Sequence, residues 1–331
     1  MTEQWTQSSL EFREFNSEDY PRFVEIYNSN YPEDAVSVSE SRAFDESVDH
    51  SKYLLRRFAV MDPGGRVLGF GQIRHDMGMF HPRKFSVNIF VDPLEQGKGI
   101  GRAIFRKLNG ELEQLDAVSA WTFAREDLQR QQDFFRHRGF REARRTWESR
   151  LDLKSADTSS FQSYLHKASN QGIDFTTLGQ EMQQGDSLRG LYELVQLIVA
   201  DMPMDGEFTP ISYEQWKSLV FNNPGLLPEG YIIAKHGKEF VGVSIVYKNE
   251  KDPSSLSTDD TGVRREYRGR GVAIAMKLKV IQYAQNAGYD TIKTRNDSTN
   301  SAMLAINSKL GFKRQIGWIL MKKALGPEAS S

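Results

Sequence analysis

The chain carries one short pattern twice, at a fixed distance. Gln96-Gly97-Lys98-Gly99-Ile100-Gly101 and Arg268-Gly269-Arg270-Gly271-Val272-Ala273 both read Gln or Arg, Gly, a cation, Gly, an aliphatic and a small residue, and 268 − 96 = 172. Further on stand Arg138-Gly139-Phe140 and Leu310-Gly311-Phe312, and 311 − 139 is again 172. Two landmarks in one register mean a duplicated unit with no net insertion, which settles the architecture before any single element is read. Length agrees: 331 residues, at roughly 150 per domain, make two cores. The polar stretch 154–160 is the natural boundary, so the expected domains are 9–153 and 157–325.

Each half then alternates strands and helices in the same order. In the first, 10–15 reads as a strand, and Ser17 as the cap of a helix entered through Glu18, Asp19 and Pro21. Segments 58–61 and 67–73 form a hairpin around Pro63-Gly64-Gly65, and 85–91 is a strand with Val87, Ile89 and Val91 alternating. After the glycine pattern, Ile104, Leu108, Leu112 and Leu115 share one helix face. A strand at 121–123, a helix at 127–138 and a closing strand at 146–153 complete the unit. A short helix at 161–168 leads into the second half. There strands fall at 175–178, 231–234, 240–246, 256–263 and 291–294, and helices at 188–200, 273–286 and 299–310. Helices interleaved with hairpins predict an α/β fold, more closely α+β with a mixed sheet.

Composition narrows the chemistry. With 39% hydrophobic and 26% charged residues and a net charge of −1, the chain is globular, and no basic excess points to nucleic acid or a membrane surface. No apolar run approaches the roughly 20 residues that cross a bilayer, and Met1 to Leu10 lacks the apolar core of a secretion signal. The sequence holds no cysteine. That removes disulfides, thiolate metal sites and a cysteine nucleophile, and suits a reducing cytoplasm, the expected location. No histidines have metal-ligand spacing, so no metal is expected.

Each glycine pattern sits between a strand and a helix. Glycines let backbone approach a ligand closely, and the free N–H groups that open a helix favour an anion. Lys98, Arg268 and Arg270 add positive charge, and the whole suits a pyrophosphate. A nucleotide-hydrolase loop needs Ser or Thr after its Lys, but Lys98 precedes Gly99; the even spacing of Gly97, Gly99 and Gly101 fails the dinucleotide fingerprint.

Gln or Arg, two residues, Gly, one residue, Gly or Ala resembles the pyrophosphate signature of the GNAT superfamily of N-acetyltransferases. Val91-Asp92-Pro93 matches the strand end that commonly precedes it there, and Val263 keeps the Val while Arg265 replaces the Pro. The Gly-Phe pairs match the end of that family's later helix. Two copies make the chain similar to the tandem members, of which mycothiol synthase is a type. The resemblance implies two tandem GNAT (acyl-CoA N-acyltransferase) domains with acetyl-CoA as co-substrate. The cofactor would lie in an opening between two parallel strands, held through Val91, Gln96, Gly97, Lys98, Gly99, Ile100 and Gly101 in the first copy. In the second it would be held through Val263, Arg268, Gly269, Arg270, Gly271, Val272 and Ala273. An amine would attack the thioester directly, needing a base for its proton.

The copies differ. The family's cofactor-holding Asn after the fifth strand has counterparts Asn296 and Asn300 in the second copy, whereas subtracting 172 gives Ala124 and Leu128. The Tyr that often serves as acid, four residues before the Gly of Gly-Phe, is replaced by Phe135 and Asn307. Asn307 can hydrogen-bond a thiol but is a poor acid. As bases the second copy offers Asp260 and Asp259, one of which faces the opening if side chains alternate; Asn88 replaces Asp260 in the first. The second copy is therefore expected to be catalytic and the first to be partly degenerate, binding coenzyme A at most. The acidic, Met-rich stretch 201–210 suits a cationic acceptor with an apolar part. Expected partners are a small-molecule amine, without nucleic acid or membrane, in a monomer or homodimer. A non-catalytic acyl-CoA sensor and a protein N-acetyltransferase stand as alternatives.

Overall fold

Alternating apolar residues make the strands of this chain and capped amphipathic runs its helices, and a computed structural model describes them over residues 10–184 and 187–326. Two units separate: one runs to Ala143 and resumes at Ile319, the other is Arg144–Trp318.

The first unit contains β1 (Glu11–Glu14), α1 (Tyr20–Asn30), α2 (Val38–Ser47), β2 (Leu55–Met61), β3 (Val67–Arg74), β4 (Lys84–Val91), α3 (Ile100–Gln114), β5 (Ser119–Arg125) and α4 (Gln129–Arg136). Its strands run β1-β2-β3-β4-β5, antiparallel except for the parallel pair β4 and β5. The mixed sheet is as expected. Helix α3 lies so close on it that a Cβ at Gly71 would come 2.6 Å from Ile104 Cγ2. The first cap is Asn16, not Ser17. The Asn16 side chain accepts from Glu18 N and Asp19 reaches back to Asn16 N, making a 3₁₀ turn ahead of α1.

The second unit contains most of β6 (Arg141–Asp152), then α5 (Gln162–Ser169), β7 (Ile173–Thr177), α6 (Leu178–Met182), α7 (Leu188–Ala200), α8 (Tyr213–Phe221), β8 (Ile232–His236), β9 (Glu239–Asn249), β10 (Asp252–Val263), α9 (Val272–Asn286), β11 (Thr291–Asp297), α10 (Ser301–Lys309) and the start of β12 (Lys313–Ala324). The strand order β6-β11-β10-β9-β8-β7 repeats the plan of the first, again with one parallel pair, β10 and β11. Leu191, Leu194, Ile198 and Trp216 form a core with Tyr231, Val243 and Ile245 on the α7 and α8 face. Met276, Leu278 and Ile281 of α9 form another with Val241, Val246 and Leu256.

The division falls at 143/144 and 318/319, not between 153 and 157. The strand given to the first domain pairs instead with β11, from Thr146↔Asp297 to Asp152↔Thr291. The end of the chain goes the other way: Ile319 and Met321 are buried with Ala120 and Phe140 in the core of the first unit. Residue 9, the expected start of the first domain, lies outside the described residues.

Candidate active site

In both units the parallel strands part just before the glycine turn. Strands β4 and β5 pair at Lys84↔Ser119, Phe85↔Ala120 and Ser86↔Trp121, and β10 and β11 at Ser255↔Thr291, Leu256↔Ile292 and Ser257↔Lys293. Beyond these pairs the strands continue to Val91 and Val263 and leave a wedge whose backbone edges an extended ligand can meet.

The copies diverge at one residue. Since 84 + 172 = 256, Leu256 should stand opposite Thr291, but Ser255 does. Strand β10 carries an extra residue: its partners on β9 step from Thr258↔Val246 to Thr261↔Ser244, whereas β4 runs regularly beside β3. The bulge contains Asp259 and Asp260. A bulge breaks alternation, so alternation along β10 no longer assigns only one of the two carboxylates to the site. Solvent reaches Asp259 and Asp260 is half-buried, but protein atoms crowd both. Desolvation pushes the Asp259 carboxyl up; desolvation and then the Asp259 charge push Asp260 well up. Neither has an ion-pair or hydrogen-bond partner among the described residues.

The turns themselves demand glycine. Gly97 and Gly99 have φ of +87° and +98°, Gly269 and Gly271 of +72° and +87°. Gly99 and Gly271 cap α3 and α9, so alternating left-handed residues run into a helix N-terminus, a backbone cradle for an anion. Ile100 and Val272 are 1% exposed, and only their N–H groups can serve a ligand.

Several residues expected at the cofactor also bond within the protein. Gln96 Nε2 donates to Val91 O at 3.4 Å, and Arg268 Nε to Val263 O at 2.9 Å. The first motif residue thus pins the turn to the strand end. Arg268 also pairs with Asp201, as does Arg265, whose Nε lies 3.0 Å from it; those hydrogen bonds, Arg265 foremost, hold the Asp201 carboxyl low. Asp201 is therefore not an open charge of the 201–210 stretch. Lys98 pairs with Glu95 at 2.9 Å. Arg270 keeps its charge exposed beside the Tyr267 ring.

A cavity of about 510 Å³ opens at the turn of the first unit, lined by Gly97, Gly99, Gly101, Phe134 and Phe135 with Arg102, Arg130 and Arg138. Arg102 and Arg130 have no ion-pair partner among the described residues. Phe135, at the position of the missing Tyr, is buried. Sequence reasoning missed Tyr31 at the cavity wall, whose hydroxyl accepts from Gln131 Nε2 at 2.7 Å; nothing in its neighbourhood marks it.

In the second unit the corresponding groove is crossed by Tyr164 of α5. A Cβ on Gly271 would come 2.8 Å from Tyr164 Cδ1, and the Tyr164 hydroxyl accepts from Lys309 Nζ at 2.6 Å. Asn300 caps α10 by accepting from Met303 N at 3.2 Å. Asn307 Nδ2 donates to Asn296 Oδ1 at 2.7 Å, while the buried Asn307 Oδ1 has no partner. The structure thus brings Asn296 and Asn307 together and leaves Asn300 a capping role. Among the described residues no group of His, Asp and Glu could hold a metal ion, and no helix is long and apolar enough to cross a membrane.

The sequence model described as Acetyltransferase (GNAT) domain matches residues 55–142, and that described as Acetyltransferase (GNAT) family matches 191–312. The chain is a tandem GNAT acetyltransferase. The two matches fall one in each half of the repeat, and GNAT enzymes use acetyl-CoA. No curated protein matches the chain. Among solved structures, a tandem GNAT protein from the clavulanic acid biosynthesis pathway superposes with TM-score 0.73 at 17% identity, covering 97% of this chain and 100% of its own. A GCN5-related N-acetyltransferase from Sphaerobacter thermophilus gives 0.71 at 17%, covering 99% of each chain. One from Kribbella flavida gives 0.54 at 11%, covering 97% of this chain and 73% of its own. At such identities these likenesses speak for the GNAT fold alone.

Proposed function

We propose that the chain transfers an acetyl group from acetyl-CoA to a primary amine of a small molecule by direct attack, with the chemistry in the second unit. The observation that carries this reading is the Asp259–Asp260 bulge beside the parted strands β10 and β11. A carboxylate there takes a proton from the incoming ammonium. The amine nitrogen then bonds to the thioester carbonyl carbon and the C–S bond breaks; the nitrogen gives its second proton to water as the amide forms, and the thiolate takes a proton from solvent, since no Tyr stands on α10. The N–H groups after Gly269 and Gly271 would bind the pyrophosphate, with Tyr164 yielding its place, and the exposed edge of β10 would meet the pantetheine. The likeness to mycothiol synthase rests on the tandem plan and names no acceptor. The absence of cysteine supports a cytoplasmic location, and a monomer or homodimer is proposed.

A second reading has its own support in the first unit. Its cavity carries unpaired arginines, while Asn88 stands where the second unit has Asp260, so this unit would bind acyl-CoA without transferring it. The experiment is calorimetric titration of coenzyme A into the protein, beside thiol release from acetyl-CoA with an amine panel. Binding with amine-dependent release supports transfer; binding without release under any amine supports the sensor; no binding overturns both.

A further inference from the structure

Resting on the reading of the second unit as the transferring one, we infer that its acceptor is a monocationic amine on an aromatic or apolar body, with no carboxylate beside the nitrogen. The ammonium is set at Asp259 and Asp260, and the body lies against the aromatic face of α7 and α8.

Three observations converge. First, two carboxylates share a bulge without a cation to balance them. Adjacent carboxylates disfavour each other's charge, and an arriving ammonium supplies the missing counter-charge. A zwitterionic amino acid would bring its own carboxylate against the pair and be repelled. Second, Tyr231 is fully buried and its hydroxyl has no hydrogen-bond partner; it stands level with Asp260 across β9, because Ile232 and Thr261 both face Ser244. A buried hydroxyl left without a partner is costly, and an arriving ammonium would give it one. Third, half-buried aromatic rings, Tyr192, Tyr213 and Tyr247, border the core on the α7 and α8 face. Tyr247 lies on the same face and packs on the core of Leu194, Ile198 and Trp216. Tyr213 stacks on the buried Trp216 at 5.9 Å between ring centroids and meets Tyr192 edge-on at 5.5 Å. Rings placed there favour an aryl or alkyl body over a sugar.

The test uses the full chain with acetyl-CoA and three probe amines: phenethylamine, phenylalanine, which adds a carboxylate to it, and glucosamine, a polar cation. Expected is a kcat/KM for phenethylamine at least about 100-fold above that for phenylalanine, from loss of charge-assisted pairing, and also above that for glucosamine. Binding of phenethylamine, read by calorimetry, should weaken by about tenfold or more in Asp259→Asn/Asp260→Asn, with coenzyme A binding retained as the control for fold. Tyr231→Phe, which removes only the orphan oxygen, should weaken phenethylamine several-fold while keeping the fold. Coenzyme A binding with glucosamine or phenylalanine preferred, or amine binding indifferent to these substitutions, would overturn this inference and leave acetyl transfer standing. Failure to bind coenzyme A at all would overturn both.

Discussion

Replacing Asp260 by Asn separates what the bulge does for the reaction from what it costs the fold. Desolvation and the neighbouring Asp259 push the Asp260 carboxyl well above its ordinary range, so folding favours the neutral acid. Below the ordinary carboxylate pKa both folded and unfolded chains hold the proton, and wild type and variant should be equally stable. As pH rises from there towards the raised pKa, the unfolded chain releases its proton first and wild type loses stability; above it the penalty is constant. Asn escapes that loss. Differential scanning calorimetry from acid to neutral pH should therefore show a gain in Tm for Asp260→Asn that grows with pH, by roughly 2–4 °C for each kcal/mol regained in a unit of this size. Thiol release should fall, by about 100- to 10,000-fold for loss of a general base, and less at high pH where the free amine is abundant. Wild-type activity should correspondingly rise with pH above the usual carboxylate range. Full turnover in both Asp259→Asn and Asp260→Asn across the pH range would refute the base, and an unchanged Tm would refute the strained pair.

The cofactor sites give three further expected outcomes. Asn tolerates positive φ and nothing lies within 4 Å of a Cβ at Gly269, so Gly269→Asn should fold and weaken coenzyme A binding by filling the cradle; unchanged affinity by calorimetry counts against it. Tyr164→Ala should tighten coenzyme A binding at the second unit by clearing the ring from Gly271, and an unaltered constant would mean that the ring does not compete. Arg102→Ala with Arg130→Ala should weaken binding at the first unit and flatten its dependence on salt; retention of both would place the phosphates elsewhere.

The duplication, the mixed sheet and the glycine turns were legible because each rests on a local requirement: positive φ at Gly97, Gly99, Gly269 and Gly271, and alternation along β4. The sequence reading gives helices α2 and α8 no range although their caps are local. Ser37 and Glu40 form a capping box, and Ser212 accepts from Gln215 N; weak apolar periodicity hid the helices that these caps open. The bulge was not legible, since two adjacent Asp in a strand announce opposite faces, and only the register against β9 shows otherwise. The departure of β6 and the chain end from their expected domains, and the crossing of Tyr164 over Gly271, depend on which partners fold elsewhere in the chain. Gln96, Lys98 and Arg268, read from the motif as ligand contacts, also bond to Val91 O, Glu95 and Val263 O, a second use that shows only once those partners are folded beside them.

The central claim is acyl transfer, and amine-dependent release of thiol from acetyl-CoA by the purified chain tests it most directly. The structure predicts release above the rate of spontaneous hydrolysis, matched mole for mole by acetylated amine and lost in Asp259→Asn/Asp260→Asn. Release at the hydrolytic rate with every amine, while the protein binds coenzyme A, would contradict it.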